Sequence, residues 1–183
     1  RLNPDVVFVG EIRDAETAKI AIQASLTGHL VISTIHARNS VGALFRLLDL
    51  GADKYMINYA LRGILSQRLM RRICDKCKQE YLPTEQEVGA YVQEKGVVPQ
   101  RLLHGKGCDW CNQSGWRGRA GIYEMLEMDD EIRRLVFSGA GETEFRAEMV
   151  KRGFRGMDME GIRLVDEGVT SLTEFLRTMY DAR

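Results

Sequence analysis

Two groups of residues in this sequence carry side chains able to do chemistry. The first is Glu11, Arg13 and Asp14, which follow the apolar run Val6-Val7-Phe8-Val9 and the single glycine Gly10. An acid at that point can position a water, or a metal-bound water, for attack on a phosphate. Further on, His29 and His36 bracket a second apolar run, with the hydroxyls of Ser33 and Thr34 near its exit. An acid, hydroxyls and an imidazole on one rim suit recognition of a phosphate and of an attacking water. Taken singly, each histidine reads as well as a structural one that satisfies a backbone carbonyl.

The second group is cysteine. Cys74-Asp75-Lys76-Cys77 and Cys108-Asp109-Trp110-Cys111 hold all four cysteines of the chain, with residues 78–107 between the pairs. Each CxxC can place two thiolates on one side of a tight knuckle, and two knuckles complete a tetrahedral site of four sulfurs. Such a site leaves no open coordination position, so the metal expected is a structural zinc. The rivals are disulfides, which a cytoplasmic chain disfavours, and a redox motif, which two pairs fit poorly. His104 is a conceivable alternative ligand, although an exposed loop histidine is the preferred reading.

The elements that position the first group follow from patterning. Val6–Val9 reads as a strand buried on both faces, as in a parallel sheet. Residues 14–27 read as a helix: Asp14 is a plausible N-cap, Ala18, Ala21, Ile22 and Leu26 fall at helical spacing, and Gly28 can end it. Residues 27–36 return as a second strand. The result is a β-α-β unit whose strands point the same way, so Glu11 and His36 emerge on one rim. In open α/β sheets ligands bind at that rim.

Downstream, Asn39 or Ser40 caps a helix through about Leu50, with Val41, Leu44, Phe45 and Leu48 as its apolar stripe. A helix from Lys54 to Gln67 follows, burying most of Tyr55, Ile57, Leu61, Ile64 and Leu65, with Gly63 a weak point or a place of close packing. Arg68, Arg71 and Arg72 read either as an anion site or as a solvated face against an acidic neighbour. Thr84 and Glu87 form a capping box for a helix to about Glu94, which Gly96 and Pro99 end. A short strand spans residues 121–126. Helices follow around Ile132, Leu135 and Val136, around Phe145, Met149 and Val150, and around Met159, Ile162 and Val165, the last ending near Gly168. The final helix opens with a Ser171/Glu174 capping box and buries Leu172, Phe175, Leu176 and Met179.

Composition sets limits. Lys plus Arg and Asp plus Glu each number 26 in 183 residues, so the formal net charge is zero. Nothing there argues for a nucleic-acid groove or a basic membrane anchor, and no direct nucleic-acid partner is expected. No apolar run approaches the ~20 residues that span a bilayer.

The ordered motifs resemble a known family. Asn3-Pro4-Asp5 leading into VVFVGEIRDAETA, then TGHLVISTIHA, is similar to the Walker B box and histidine box of the secretion and pilus-assembly ATPases. These are the motors of type II secretion and type IV pilus extension. The likeness continues through Arg46–Gly51, Ser66–Leu69, both CxxC pairs, Gly115–Glu124 and Gly168–Leu172. One feature departs from the family pattern. No G-x-x-x-x-G-K-[ST] phosphate loop is present, and Gly105-Lys106-Gly107 lacks both the hydroxyl residue and the preceding glycine. The chain begins at Arg1 without methionine, so it reads as the C-terminal part of a longer protein and as half of an ATP site.

The resemblance implies the second half of a RecA-like α/β P-loop ATPase core, an inserted four-cysteine zinc module and a C-terminal helical subdomain. The corresponding segments are 1–73, 74–124 and 125–183. It implies a homohexameric parent that hydrolyses ATP with Mg²⁺ at the cytoplasmic face of a bacterial inner membrane. That parent drives pseudopilus or pilus assembly through a membrane platform protein. Glu11 would orient the attacking water, His36 would meet the γ-phosphate and His29 would support it. Arg13 would join the catalytic set, and Asp14, Ser33 and Thr34 the nucleotide and metal contacts. Cys74, Cys77, Cys108 and Cys111 would hold the zinc. Retraction motors of the family lack the four-cysteine insert, so retraction is disfavoured. The alternative is a non-enzymatic zinc-ribbon interaction module, and half a site alone is expected not to turn over ATP.

Overall fold

The structure is a computed structural model that describes residues 4–181; Asn3, quoted above with the first motif, lies outside the described residues. The chain forms two compact units. Unit 1 gathers Arg1–Ser66 with Met125–Phe154, and unit 2 gathers Gln67–Glu124 with Arg155–Arg183. The chain passes between them inside two long strands, β3 (Gly63–Ile73) and β6 (Trp116–Glu127), which pair with each other. No helix among the described residues is long and apolar enough to cross a membrane.

In unit 1, β1 (Val6–Val9) and β2 (Leu30–Ser33) are parallel, in the register Val6↔Leu30 to Val9↔Ser33. Helix α1 (Ala15–Leu26) joins them, and the Asp14 carboxylate caps it by accepting from Thr17 N at 2.8 Å. The β-α-β reading therefore holds. The expected burial of β1 on both faces does not. Paired residues of a parallel ladder share a face, and the face of Val6, Phe8, Leu30 and Ile32 is open, Phe8 being 71% exposed. Among the described residues this sheet has two strands, and the Val7, Val9 and Val31 face is only half-buried.

The core of unit 1 lies instead under α2 (Ser40–Asp49), α3 (Lys54–Ala60), α5 (Asp130–Ser138) and α6 (Glu142–Lys151), where Leu44, Ile57, Leu126, Ile132 and Phe145 pack together. Asn39 caps α2, and Leu47 rather than Leu48 is its buried third-turn residue. Val150 of α6 stays exposed.

The helix expected over 54–67 is corrected. α3 stops at Ala60 and β3 starts at Gly63. From Ile64 the burial alternates, with Ile64, Ser66, Arg68 and Met70 turned inward and Leu65, Gln67 and Leu69 outward. Gly63 is a close-packing site, but in a strand: a Cβ there would meet Met125 Cε at 2.7 Å and the Leu126 carbonyl at 3.1 Å. Tyr55 and Leu65, expected inside, are exposed. The partner strand β6 is also longer than the six residues expected, running twelve residues with Ile122, Glu124 and Leu126 buried in alternation.

In unit 2 the capping box opens α4 (Glu85–Lys95) as expected, with Glu87 N donating to Thr84 Oγ1 at 3.3 Å and Thr84 N to Glu87 Oε2 at 3.0 Å. Gly96 ends the helix in the left-handed region at φ 70°. An antiparallel pair not foreseen, β4 (Lys78–Tyr81) with β5 (Leu102–Gly105), flanks α4. His104 sits on β5, not in a loop, with its ring 4.8 Å from that of Tyr81. Helices α7 (Met157–Asp166) and α8 (Leu172–Leu176) complete the unit around Met70, Ile122, Ile162 and Phe175. Met159 of α7 is exposed.

Only half of the Ser171/Glu174 box forms. Ser171 accepts from Glu174 N at 3.2 Å, but the Glu174 carboxylate turns inward and is buried. There it accepts from the Arg71 amide at 3.0 Å, from the Arg71 guanidinium at 2.6 Å and from Arg177 at 2.7 Å. Arg71 also stacks over Trp116 at 4.5 Å. Of the two readings of the arginine run, the acidic neighbour is therefore the one seen at Arg71.

Candidate functional site

The β1–β2 rim comes first. Past the strands the two chains stay tied together: Ile12 N donates to the Thr34 carbonyl at 2.8 Å and Thr34 Oγ1 to the Gly10 carbonyl at 2.8 Å. This tie brings Glu11 and His36 together. Glu11 Oε1 lies 2.8 Å from His36 Nε2, shielded from solvent but without a well-aligned hydrogen bond. Glu11 Oε2 accepts from Arg13 Nε at 2.5 Å. The carboxylate is mostly covered, at 20% exposure, whereas Arg13 and His36 are 75% and 89% exposed. A carboxylate set between two exposed nitrogen-bearing side chains can accept a water's proton, and both side chains can reach an anion placed outside the rim.

The other sequence candidates fall less tightly. Thr34 and Ser33 are on the rim, but their hydroxyls donate to backbone carbonyls, Ser33 Oγ to Thr34 O at 3.3 Å. Asp14 is occupied as the helix cap, and the Thr17 amide holds its carboxyl below the usual range. His29 stands at the opposite end of β2 from His36. Its Nδ1 lies 3.1 Å from the Ala24 carbonyl and 3.2 Å from Thr27 Oγ1. His29 also lines a cavity of about 1100 Å³ that runs along β2 from Gly28 to Ile35. The cavity is open on one side and is lined by α1, α2, the end of α3, the start of β3 and Met125 and Glu127 of β6, all within unit 1.

The second centre is the cysteine cluster of unit 2. The four Sγ atoms lie within 4.8 Å of one another. Cys74 and Cys108 are 3.9 Å apart, Cys77 and Cys111 3.8 Å, and Cys108 and Cys111 3.7 Å. A disulfide is about 2.05 Å long, so all four thiols are free. A tetrahedral zinc with bonds of about 2.3 Å needs sulfurs about 3.8 Å apart, close to the three separations just given.

The chain reaches this geometry through backbone contacts. Cys74 N donates to the Gly115 carbonyl at 2.9 Å, and Lys106 N to the Cys77 carbonyl at 3.1 Å. A Cβ on Gly105 would fall 2.1 Å from the Gly115 carbonyl oxygen, and one on Gly115, at φ 75°, 2.3 Å from that of Gly105. A Cβ on Gly107 would fall 2.7 Å from the Gln113 carbonyl oxygen. Gly105, Gly107 and Gly115 thus let the two flanks of the second knuckle close on each other, a role that spacing alone does not signal. Trp110, between the second pair of cysteines, carries Lys76 Nζ 3.9 Å and Arg117 Cζ 4.0 Å from its ring centre.

Burial pushes the Cys77 thiol up to about 12. On Cys111 burial acts the same way, but the amides of Cys108 and Gly115 prevail and bring it down to about 6. Four close thiols cannot all ionise without a cation, and a divalent metal meets that demand. The donor set therefore fits zinc, and the cluster could hold a metal ion.

Sequence reasoning missed two buried acids. Glu174 is described above; burial works to raise its carboxyl, but Arg177 and Arg71 outweigh that and bring it to about 2. Glu124, buried on β6, accepts from Met157 N at 3.1 Å and so caps α7, which begins after Gly156. The signal for both was an acid at an inward position of an alternating or helical apolar pattern.

The backbone is similar to that of two solved ATPases. It matches the X-ray structures of the ATPase DotB from Yersinia pseudotuberculosis (TM-score 0.63, 21% identity, 97% of this chain and 37% of that one) and from Legionella pneumophila (TM-score 0.60, 22% identity, 98% and 40%). The class is an α/β fold of the kind those ATPases have. The family model described as Type II/IV secretion system protein matches residues 1–177, and the chain belongs to that family. It is 45% identical over 177 residues to the type II secretion system protein E of Pseudomonas aeruginosa, covering 97% of this chain and 35% of that protein. It is 44% identical to the type II secretion system ATPase E of Vibrio cholerae, with the same coverages. It is 41% identical to the type IV pilus assembly ATPase PilB of Thermus thermophilus, covering 96% of this chain and 20% of that protein. The chain spans about a third or less of the length of these relatives.

Proposed function

We propose that the chain is part of a motor ATPase that assembles a pseudopilus or a type IV pilus, and that the β1–β2 rim is its share of the ATP site. The observation that carries this reading is the Glu11–His36 contact of 2.8 Å at the C-terminal end of a parallel β-α-β unit. Glu11, in the place of a Walker B acid, orients the attacking water. His36 and Arg13, both exposed beside it, meet the phosphate oxygens. ATP would supply the transferred phosphoryl group, and Mg²⁺, held from Glu11's side, would help neutralise the phosphate charge. Asp14, Ser33 and Thr34 serve as outer contacts, and His29 supports β2 from its far end. The cavity along the free edge of β2 has room for a further strand, which in a RecA-like core would carry the phosphate loop from the rest of the protein.

Within this reading residues 1–73 are the catalytic half-core, 74–124 the zinc module and 125–183 the helical subdomain, whose first two helices pack in unit 1 and last two in unit 2. Cys74, Cys77, Cys108 and Cys111 hold one structural Zn²⁺. The whole protein works as a homohexamer on the cytoplasmic face of a bacterial inner membrane, against a platform protein there.

The test is Glu11→Gln in the full-length protein. The amide keeps the size and removes the charge, so turnover should fall by about 10²–10⁴ while ATP binding survives. Turnover near that of the unaltered protein would move the catalytic role away from Glu11, with His36 the next candidate.

A further inference from the structure

The four cysteines are not equivalent. Cys74, Cys77 and Cys111 are 0%, 3% and 6% exposed, whereas Cys108 is only partly buried. The amides are unevenly shared as well. Cys111 Sγ receives the Cys108 amide at 3.3 Å and the Gly115 amide at 3.2 Å, and the Gly107 amide acts on Cys77. An N–H···S bond withdraws electron density from sulfur and makes a bound thiolate a poorer nucleophile. Cys108 combines access with a sulfur that receives none of these amides.

We propose that Cys108 is the modification site of the cluster, where a hydroperoxide oxidises it and so releases the metal. The inference rests on the zinc reading given above. In the first step, written for hydrogen peroxide, the Cys108 thiolate attacks one oxygen: an S–O bond forms, the O–O bond breaks, and hydroxide leaves to solvent, where buffer protonates it. Sulfur is oxidised by two electrons and the peroxide is reduced. Cys111, with its sulfur 3.7 Å away, then attacks the sulfenic acid. The S–S bond forms, the S–O bond breaks and a second hydroxide leaves. Two of the four thiolates are thereby withdrawn, and Cys74 and Cys77 alone do not hold the ion. A thiol reductant reverses the change. Because Cys74 and Gly115 are hydrogen-bonded through the backbone, losing the cluster loosens the segments on which both knuckles are built.

The experiment uses the chain as purified without chelator. Elemental analysis comes first and should give one zinc per chain; its absence overturns the zinc reading and this inference with it. The zinc-loaded chain is then treated with limiting iodoacetamide, and in parallel with hydrogen peroxide. Labelled sites are mapped by mass spectrometry while a chromophoric chelator reports zinc release. Cys108 should be alkylated on the order of tenfold faster than any other cysteine, with about one zinc released for each Cys108 modified. Peroxide should give a Cys108–Cys111 disulfide and release zinc reversibly. Cys108→His keeps a zinc ligand of another kind and should resist peroxide. Even labelling of the four cysteines with zinc present would overturn the assignment to Cys108 and leave the metal standing. So would zinc loss at a rate independent of reagent concentration.

Discussion

At the β1–β2 rim the side chains able to do chemistry stand in the open: Arg13 and His36 are 75% and 89% exposed and hold Glu11 from outside. In the cysteine cluster three of the four thiols are buried, the flanks of the second knuckle meet glycine to glycine, and amides point at sulfur. One site is assembled by a few contacts at the ends of two short strands. The other is over-determined by backbone. On the functions proposed above, the difference is physical: a rim that receives a large anion needs exposed donors, whereas a closed tetrahedral site loses affinity with every ångström of play.

The comparison breaks most visibly at the cysteines. Cys74→Ser removes a buried ligand, and structural zinc sites bind with about 10–16 kcal/mol. The variant should purify without zinc, and residues 74–111 should become sensitive to limited proteolysis. The β-α-β segment at residues 5–36 should keep its wild-type cleavage pattern. Equal loss of protection in both segments would show that the metal organises unit 1 as well.

Next in size is a backbone test. Gly115→Ala puts a methyl group 2.3 Å from a carbonyl oxygen at φ 75°, and should cost about 3 kcal/mol by chemical denaturation. Gly10→Ala, on the rim, meets nothing within 4 Å and should stay within about 0.5 kcal/mol. Similar costs at the two positions would contradict the contrast between a tight centre and an open one.

Glu174 gives a third effect and a pH signature. Its carboxyl is brought from 4.5 down to about 2, so the ionised form is favoured by folding. That stability is fully present above pH 4.5 and is lost as pH falls toward 2, by about 3 kcal/mol over the window. Glu174→Gln should destabilise unit 2 at pH 7 by about 3 kcal/mol, since two guanidiniums lose their charge partner. It should also flatten the acid limb between pH 4.5 and 2. An unchanged acid limb would mean that other carboxylates set it.

The same contrast explains what could be read from the sequence. The β-α-β unit was legible because Asp14 and Gly28 bracket a helix between two β-branched runs, all of it local. The thiol cluster was legible because CxxC spacing is itself a ligand geometry. The helix over 54–67 was misread because apolar residues at Leu61, Ile64 and Leu65 satisfy a helical period, and only pairing with β6 selects the strand. The burial of Val6–Val9 was overestimated because a run of four apolar residues says what a strand can bury and not what covers it. Gly105 and Gly115 were opaque because the clash that requires them depends on how the two flanks of the second knuckle fold together, which no residue pattern encodes. Glu174 satisfied a capping-box pattern whose acid is used elsewhere.

The smallest effect tests a role on the rim. Asp14 accepts the Thr17 amide at 2.8 Å and lies beside the sequence of Glu11 and Arg13, so its carboxylate has two readings: helix cap or contact to a bound nucleotide and its metal. Asp14→Ala should lower the stability of the chain measurably through the lost cap. Because the Thr17 amide lowers the carboxyl below 3.8, the contribution is present at neutral pH and fades as pH falls below that value. Asparagine separates the readings, since its amide oxygen caps as well but carries no charge. Asp14→Asn should recover nearly all of the stability lost in Asp14→Ala, as measured by thermal unfolding of the chain. If the cap is the whole role, the full-length Asp14→Asn motor should also keep its Mg²⁺ dependence. A full-length variant that is stable but needs roughly tenfold more Mg²⁺ would place Asp14 among the groups that serve the nucleotide, and the rim would then be more than a pair built on Glu11 and His36.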